Sequence, residues 1–151
     1  MKRLTMLVVA LTCLLAAIPL WGGREFAEAE AIRSEAVADF EKILDLWRDG
    51  RYDELYNRTL ISGKDTKESF TNRMSAAKLK PSCCWEKMQE VGVSVRSESS
   101  VVVRAKLGLD SPGGMEYKTK SFKLSKEDGV WRIARSELLS LADARKKKGK
   151  K

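Results

Sequence analysis

The chain has 151 residues, 43% of them hydrophobic and 33% charged, with a formal net charge of +8, three cysteines and no histidine. That length supports one domain with a real core. The absence of histidine excludes a Cys/His zinc centre, which needs about four such ligands. The net charge does not indicate a nucleic-acid binder: nine of the 29 basic residues lie in the first 24 positions and in the tail Arg145–Lys151, while all 21 acidic residues fall between those ends. The body is therefore close to neutral, and the basicity belongs to the termini.

Lys2 and Arg3 precede a charge-free apolar run from Leu4 to Trp21. A basic start followed by an apolar stretch reads as a secretory signal, although the run approaches the length of a bilayer span. A small-x-small site at Ala27–Ala29 lies past the run, so residues 1–29 are expected to be a signal peptide or a membrane anchor. Cys13 sits inside the run and not at its end, and Thr12 before it fits lipidation poorly.

From Glu25 to Asp49 the spacing predicts a helix, with Ile32, Ala36, Phe40, Ile43, Leu44 and Trp47 on one stripe and Gly50 as its stop. Tyr52–Arg58 reads as a second, short helix, and Thr59–Ser62 as a short strand. Asp65 with Glu68 resembles a capping box for a third helix, which would turn Phe70, Met74 and Ala77 inward and end by Pro81.

After Pro81 the period changes to two. Val91, Val93 and Val95 alternate with small residues, and Val101, Val103, Ala105, Leu107 and Leu109 make a strand with one buried face. Residues 97–100 and 110–114 are turns. In the next strand Tyr117 and Phe122 differ in parity, which suggests a bulge between them. Glu127–Gly129 is a hairpin signal before the last strand, with Trp131 and Ile133 on one face. Ser136–Ala142 is a short closing extension, and residues 145–151 form a disordered basic tail.

Three helices followed by an antiparallel meander predict an α+β domain over residues 30–144. At "LWRDGRYDELYN" (46–57) and "KEDGVWRI" (126–133) the chain resembles the NTF2-like (cystatin-like) superfamily, and within it the small exported members. The resemblance covers about residues 31–142. It implies N-terminal helices packed on a curved, four-stranded antiparallel sheet, closing a cone with a pocket at its open end.

Adjacent Cys83 and Cys84 are not the Cys-x-x-Cys of a thioredoxin-type site. Core packing, a disulfide between neighbours, and a redox or intermolecular role stay open. If the first strand runs through "CCW", Trp85 anchors its entry and Cys83 shares the buried side, leaving Cys84 more accessible. Ser75 and Lys78 match Ser-x-x-Lys without the two motifs that complete such sites. NTF2-like enzymes place an Asp or His inside the cone, and Asp39 and Asp45 are expected on the solvent side of the first helix. Asn57 matches a glycosylation acceptor, which matters only in a eukaryotic secretory pathway.

The candidate pocket residues are Trp47, Tyr52, Tyr56, Trp85, Tyr117, Phe122 and Trp131, with core packing as the competing role. The polybasic tail is Arg145, Lys146, Lys147, Lys148, Lys150 and Lys151, which would meet an anionic membrane surface or an envelope polymer. The expectation is a non-catalytic binding or interaction module of the cell envelope, periplasmic or anchored facing outward. The alternative is a small-molecule-binding or hydrolytic cone enzyme. No metal, cofactor or nucleic acid is expected, and homodimerisation is open.

Overall fold

A computed structural model describes residues 22–60 and 66–143. The apolar N-terminal run, Asp65 and the basic tail lie outside them. The architecture is α+β: a long first helix packs on a mixed six-stranded sheet.

Helix α1 (Gly22–Arg48) carries the apolar stripe expected from its spacing: Ala36, Phe40, Ile43, Leu44 and Trp47 are fully buried. It stops at Gly50, whose φ of +73° is the left-handed conformation glycine adopts without penalty. The N–H of Arg51 donates back to the carbonyl of Leu46, closing the end. Helix α2 (Tyr52–Asn57) then leads into β1 (Thr59–Leu60), a two-residue strand. Helix α3 (Lys67–Ser75) is capped by Thr66, whose hydroxyl accepts from the Ser69 N–H, one residue after the cap expected from sequence. It ends at Ser75 and not near Pro81, because Pro81 belongs to β2 (Lys80–Pro81).

The four long antiparallel strands are β3 (Met88–Ser97), β4 (Ser100–Ser111), β5 (Gly114–Glu127) and β6 (Val130–Ala134). The expected four-stranded sheet is extended at both edges: β1 pairs parallel with β6, and β2 shares the outer edge of β4 with β3. The short strand read at Thr59–Ser62 appears as β1 at Thr59–Leu60, whereas the two residues of β2 carry no periodicity and are not visible in the sequence. Helix α4 (Arg135–Ala142) follows β6.

Strand β4 reads as expected. Val101, Val103, Ala105, Leu107 and Leu109 are sealed against α1, and Phe40 packs on Phe122 at 4.9 Å between ring centroids. The expected bulge in β5 is absent: its pairing with β4 is continuous from Ser100–Ser125 to Ser111–Gly114. Tyr117 and Phe122 differ in parity because they occupy opposite faces, Phe122 in the core and Tyr117 exposed. The bulge lies instead in β3, between Gln89 and Gly92, where Glu90 has a φ of +51°. The β5–β6 turn has positive φ at both Asp128 and Gly129, as a tight hairpin requires.

Asp39 and Asp45 are half-buried, correcting their expected solvent-side placement. Asp39 accepts from the Trp131 N–H at 3.1 Å and pairs with Arg58 at 3.2 Å, tying α1 to β6 and to the end of α2. Asp45 takes both Lys87, at 2.8 Å, and Arg48, at 3.0 Å.

Candidate functional site

The seven aromatic candidates do not line one pocket. Trp47, Phe122 and Trp131 are wholly buried in the core. Tyr52 and Tyr56 pack at its margin, where Tyr56 meets Phe70 edge-on at 5.7 Å and Arg135 lies 5.1 Å from its ring. Trp85 is 72% exposed and Tyr117 is 44% exposed. The buried strand entry expected at Cys83 and Trp85 is therefore overturned: Cys83, Cys84 and Trp85 are all exposed.

Close backbone packing explains why. Ser82 donates its N–H to the Gly108 carbonyl as β2 ends. The chain then rises over Gly108, and a β-carbon there would stand 2.4 Å from the Glu86 carbonyl oxygen. Only glycine admits this approach. The excursion, a single 3₁₀ turn (Cys84–Glu86) with Cys84 at φ +63°, is clamped at both ends. Buried Ser82 donates its hydroxyl to Asp110 at 2.6 Å, and buried Lys87 reaches Asp45. Between the clamps Cys83 and Cys84 are joined by a disulfide. The result is a fixed loop presenting a disulfide and an indole to solvent.

That loop stands on the sheet face opposite α1, because Gly108 has the parity of Val102, Arg104 and Lys106. Tyr117 pairs with Gly108 and so shares the face. The same pairing sets Lys123 opposite Val102, and Arg132 opposite Ser125, which in turn pairs with Ser100. Lys106, Arg104, Lys123 and Arg132 thus fall on successive outward positions of one face. The near-neutral charge of the body hid this segregation. The row follows from the β4–β5 register, which closes on the Pro112–Gly113 turn and which no local pattern of the sequence displays.

The inward face of β5 is different. Lys118 and Lys120 point to the α1 side, in register with Leu107 and Ala105. Lys120 donates to Ser140 on α4 at 2.9 Å. Burial pushes the nearby Glu137 carboxyl above the usual carboxylate range, against the pull of Lys120 and the Lys123 backbone. A separate hollow of about 720 Å³ is lined by Leu79, Glu116, Ala142 and Asp143 among others. Glu137 does not line it, and the carboxylates that do, Glu116 and Asp143, are exposed.

Among the described residues no cluster of His, Cys, Asp and Glu is placed to hold a metal ion. No described helix is long and apolar enough to cross a membrane. In comparison with known proteins, no family model matches the chain and no curated protein matches it in sequence.

Proposed function

We propose that this chain is a non-catalytic domain of the NTF2-like type, exported across the cytoplasmic membrane and acting as a binding or interaction module of the cell envelope. What supports the fold-family reading is the order of elements: a long helix closed at Gly50, two short helices, then four long antiparallel strands ending in the Asp128–Gly129 hairpin. The observation that carries the functional reading is the filled inner face. Ala36, Phe40, Ile43, Leu44 and Trp47 of α1 and the inward residues of β4 are fully buried together, which supports an interior filled by side chains over one that holds a substrate. An enzyme needs an ionisable group buried in a concave pocket, and the carboxylates of the hollow, Glu116 and Asp143, are exposed.

Export draws on the apolar run after Lys2 and Arg3 and on the Cys83–Cys84 disulfide, a bond that persists in oxidising compartments. A reporter that is active only outside the cytoplasm, fused after Ala142, tests this reading. Activity is expected; an inactive reporter overturns it.

The second reading, a hydrolytic or small-molecule-binding cone enzyme, draws on Glu137. Its Oε2 is buried without a hydrogen-bond partner among the described residues, close to Lys120. That reading needs the hollow lined by Glu116 and Asp143 to reach Glu137.

A further inference from the structure

We propose that the solvent-facing side of the sheet is a docking surface for an acidic polysaccharide, a chain of sugars bearing carboxylates on successive units. The inference rests on the reading of the domain as a binding module and supplies its partner class and its surface.

The surface is a row. Lys106, Arg104, Lys123 and Arg132 occupy four consecutive outward levels of the β4–β5–β6 register. Outward residues on a strand repeat every two positions, so the cations step along the sheet at about 6.7 Å and span about 20 Å. The two middle members, Arg104 and Lys123, are exposed and have no ion-pair partner among the described residues. The outer two are partly engaged: Lys106 pairs with Glu90 at 3.4 Å, and the largely buried Arg132 donates to the Asn57 carbonyl at 2.7 Å and pairs with Glu127 at 3.6 Å. Exposed Thr119 and Ser121 lie opposite Lys106 and Arg104 and offer hydroxyls to the same ligand.

One level beyond Lys106 the row ends at Tyr117 and the clamped Trp85 loop. Lys106 lies 4.9 Å from the centre of the Tyr117 ring. Exposed ring faces take the C–H faces of sugar rings by dispersion and apolar burial. The loop that carries Trp85 is held at Ser82 and Lys87, so presenting the indole costs little further ordering. Cations spaced along the row with exposed aromatic residues confined to one end match an acidic sugar chain better than a single-stranded nucleic acid, which is held by aromatics along its length. A second copy of this chain would set one cationic row against another.

The probe is polygalacturonate, titrated into the full chain by calorimetry at low and high salt, beside neutral dextran and a single-stranded oligonucleotide of equal charge. Salt-sensitive binding of polygalacturonate and none of dextran are expected. Arg104→Glu with Lys123→Glu should weaken binding by roughly tenfold or more, and Trp85→Ala severalfold, with unchanged circular dichroism. Should the double reversal not fold, Arg104→Ser with Lys123→Ser makes the same test. Binding that survives these changes but disappears on removing residues 145–151 belongs to the tail and overturns the proposal. Tighter binding of the oligonucleotide overturns it in favour of nucleic acid. The export reporter is independent of all these arms: an active reporter with no polymer binding rejects this inference alone, and an inactive one rejects the reading beneath it.

Discussion

On β4, Val101, Val103, Ala105, Leu107 and Leu109 are sealed against α1, while Val102, Arg104 and Lys106, each one position away, point to the other face. On β5, Phe122 and Leu124 face inward, and Tyr117 and Lys123 face outward. The inner face fixes the fold; the outer face is free to vary in chemistry. Burial is therefore a poor guide to importance here. The large aromatics that serve as structure, Trp47 and Trp131, are invisible from outside, while the exposed Trp85 and Tyr117 lie outside the core.

The contrast can be broken from either side. Phe40→Ala on the inner face should cost about 3–5 kcal/mol, read as a fall in the urea midpoint, whereas Tyr117→Ala on the outer face should stay within about 0.5 kcal/mol. Similar losses for the two would abolish the distinction. Gly108→Ala should cost about 1–3 kcal/mol by driving a methyl into the Glu86 carbonyl. It should also increase the accessibility of Trp85 to acrylamide quenching. A neutral result would show that the loop has room to move.

Lys87→Ala removes an ion pair whose partner Asp45 is about a third exposed and keeps Arg48. The expected loss is about 1.5 kcal/mol in chemical denaturation, at the low end for a charged hydrogen bond; a loss above about 3 kcal/mol would mean that Asp45 is left buried and uncompensated. The two cysteines should not react with a thiol reagent until reductant is added, and should then react at similar rates, since both are exposed. Replacing both by serine should cost less than about 1 kcal/mol. Early labelling at Cys84 alone would contradict the disulfide.

The smallest expected effect is a pH slope. Burial holds the folded Glu137 carboxyl above its unfolded value, so the folded chain binds that proton more tightly. Its contribution is largest below the ordinary carboxylate range, falls as pH rises through the raised folded value, and is level beyond it. Glu137→Gln should flatten that part of the stability profile. Glu35 works in the opposite sense: Lys126, 2.7 Å away, holds it below the usual range, so its contribution is present at neutral pH and is lost on acidification. A wild-type profile unchanged by Glu137→Gln would place that carboxyl in solvent.

Elements with several turns of period were legible in the sequence. The α1 stripe, the β4 alternation and the Asp128–Gly129 hairpin each repeat a local rule often enough to be read. Three features were not. The two-residue strand β2 exists only through its partner β4, and for β1 the short strand is legible but its parallel pairing with β6 is not. Trp85 reads as a buried anchor because large apolar residues usually are, and its exposure follows from a non-local contact, Glu86 over Gly108. The cationic row is a product of register: Arg104 and Lys123 are far apart in sequence, and a summed charge near zero hides their alignment.

Lysine footprinting with and without polygalacturonate tests the two-faced organisation most directly, because β5 carries lysines on both faces. The full chain is labelled with an amine reagent and read by mass spectrometry. Lys123 and Lys106 should lose reactivity in the presence of the polymer, while Lys120, on the α1 side of the same sheet, should keep its own; Lys118, whose amine is buried, should stay unreactive throughout. Protection of Lys120 with Lys123 and Lys106 unchanged would put the working surface inside the fold and contradict the assignment of binding to the outer face.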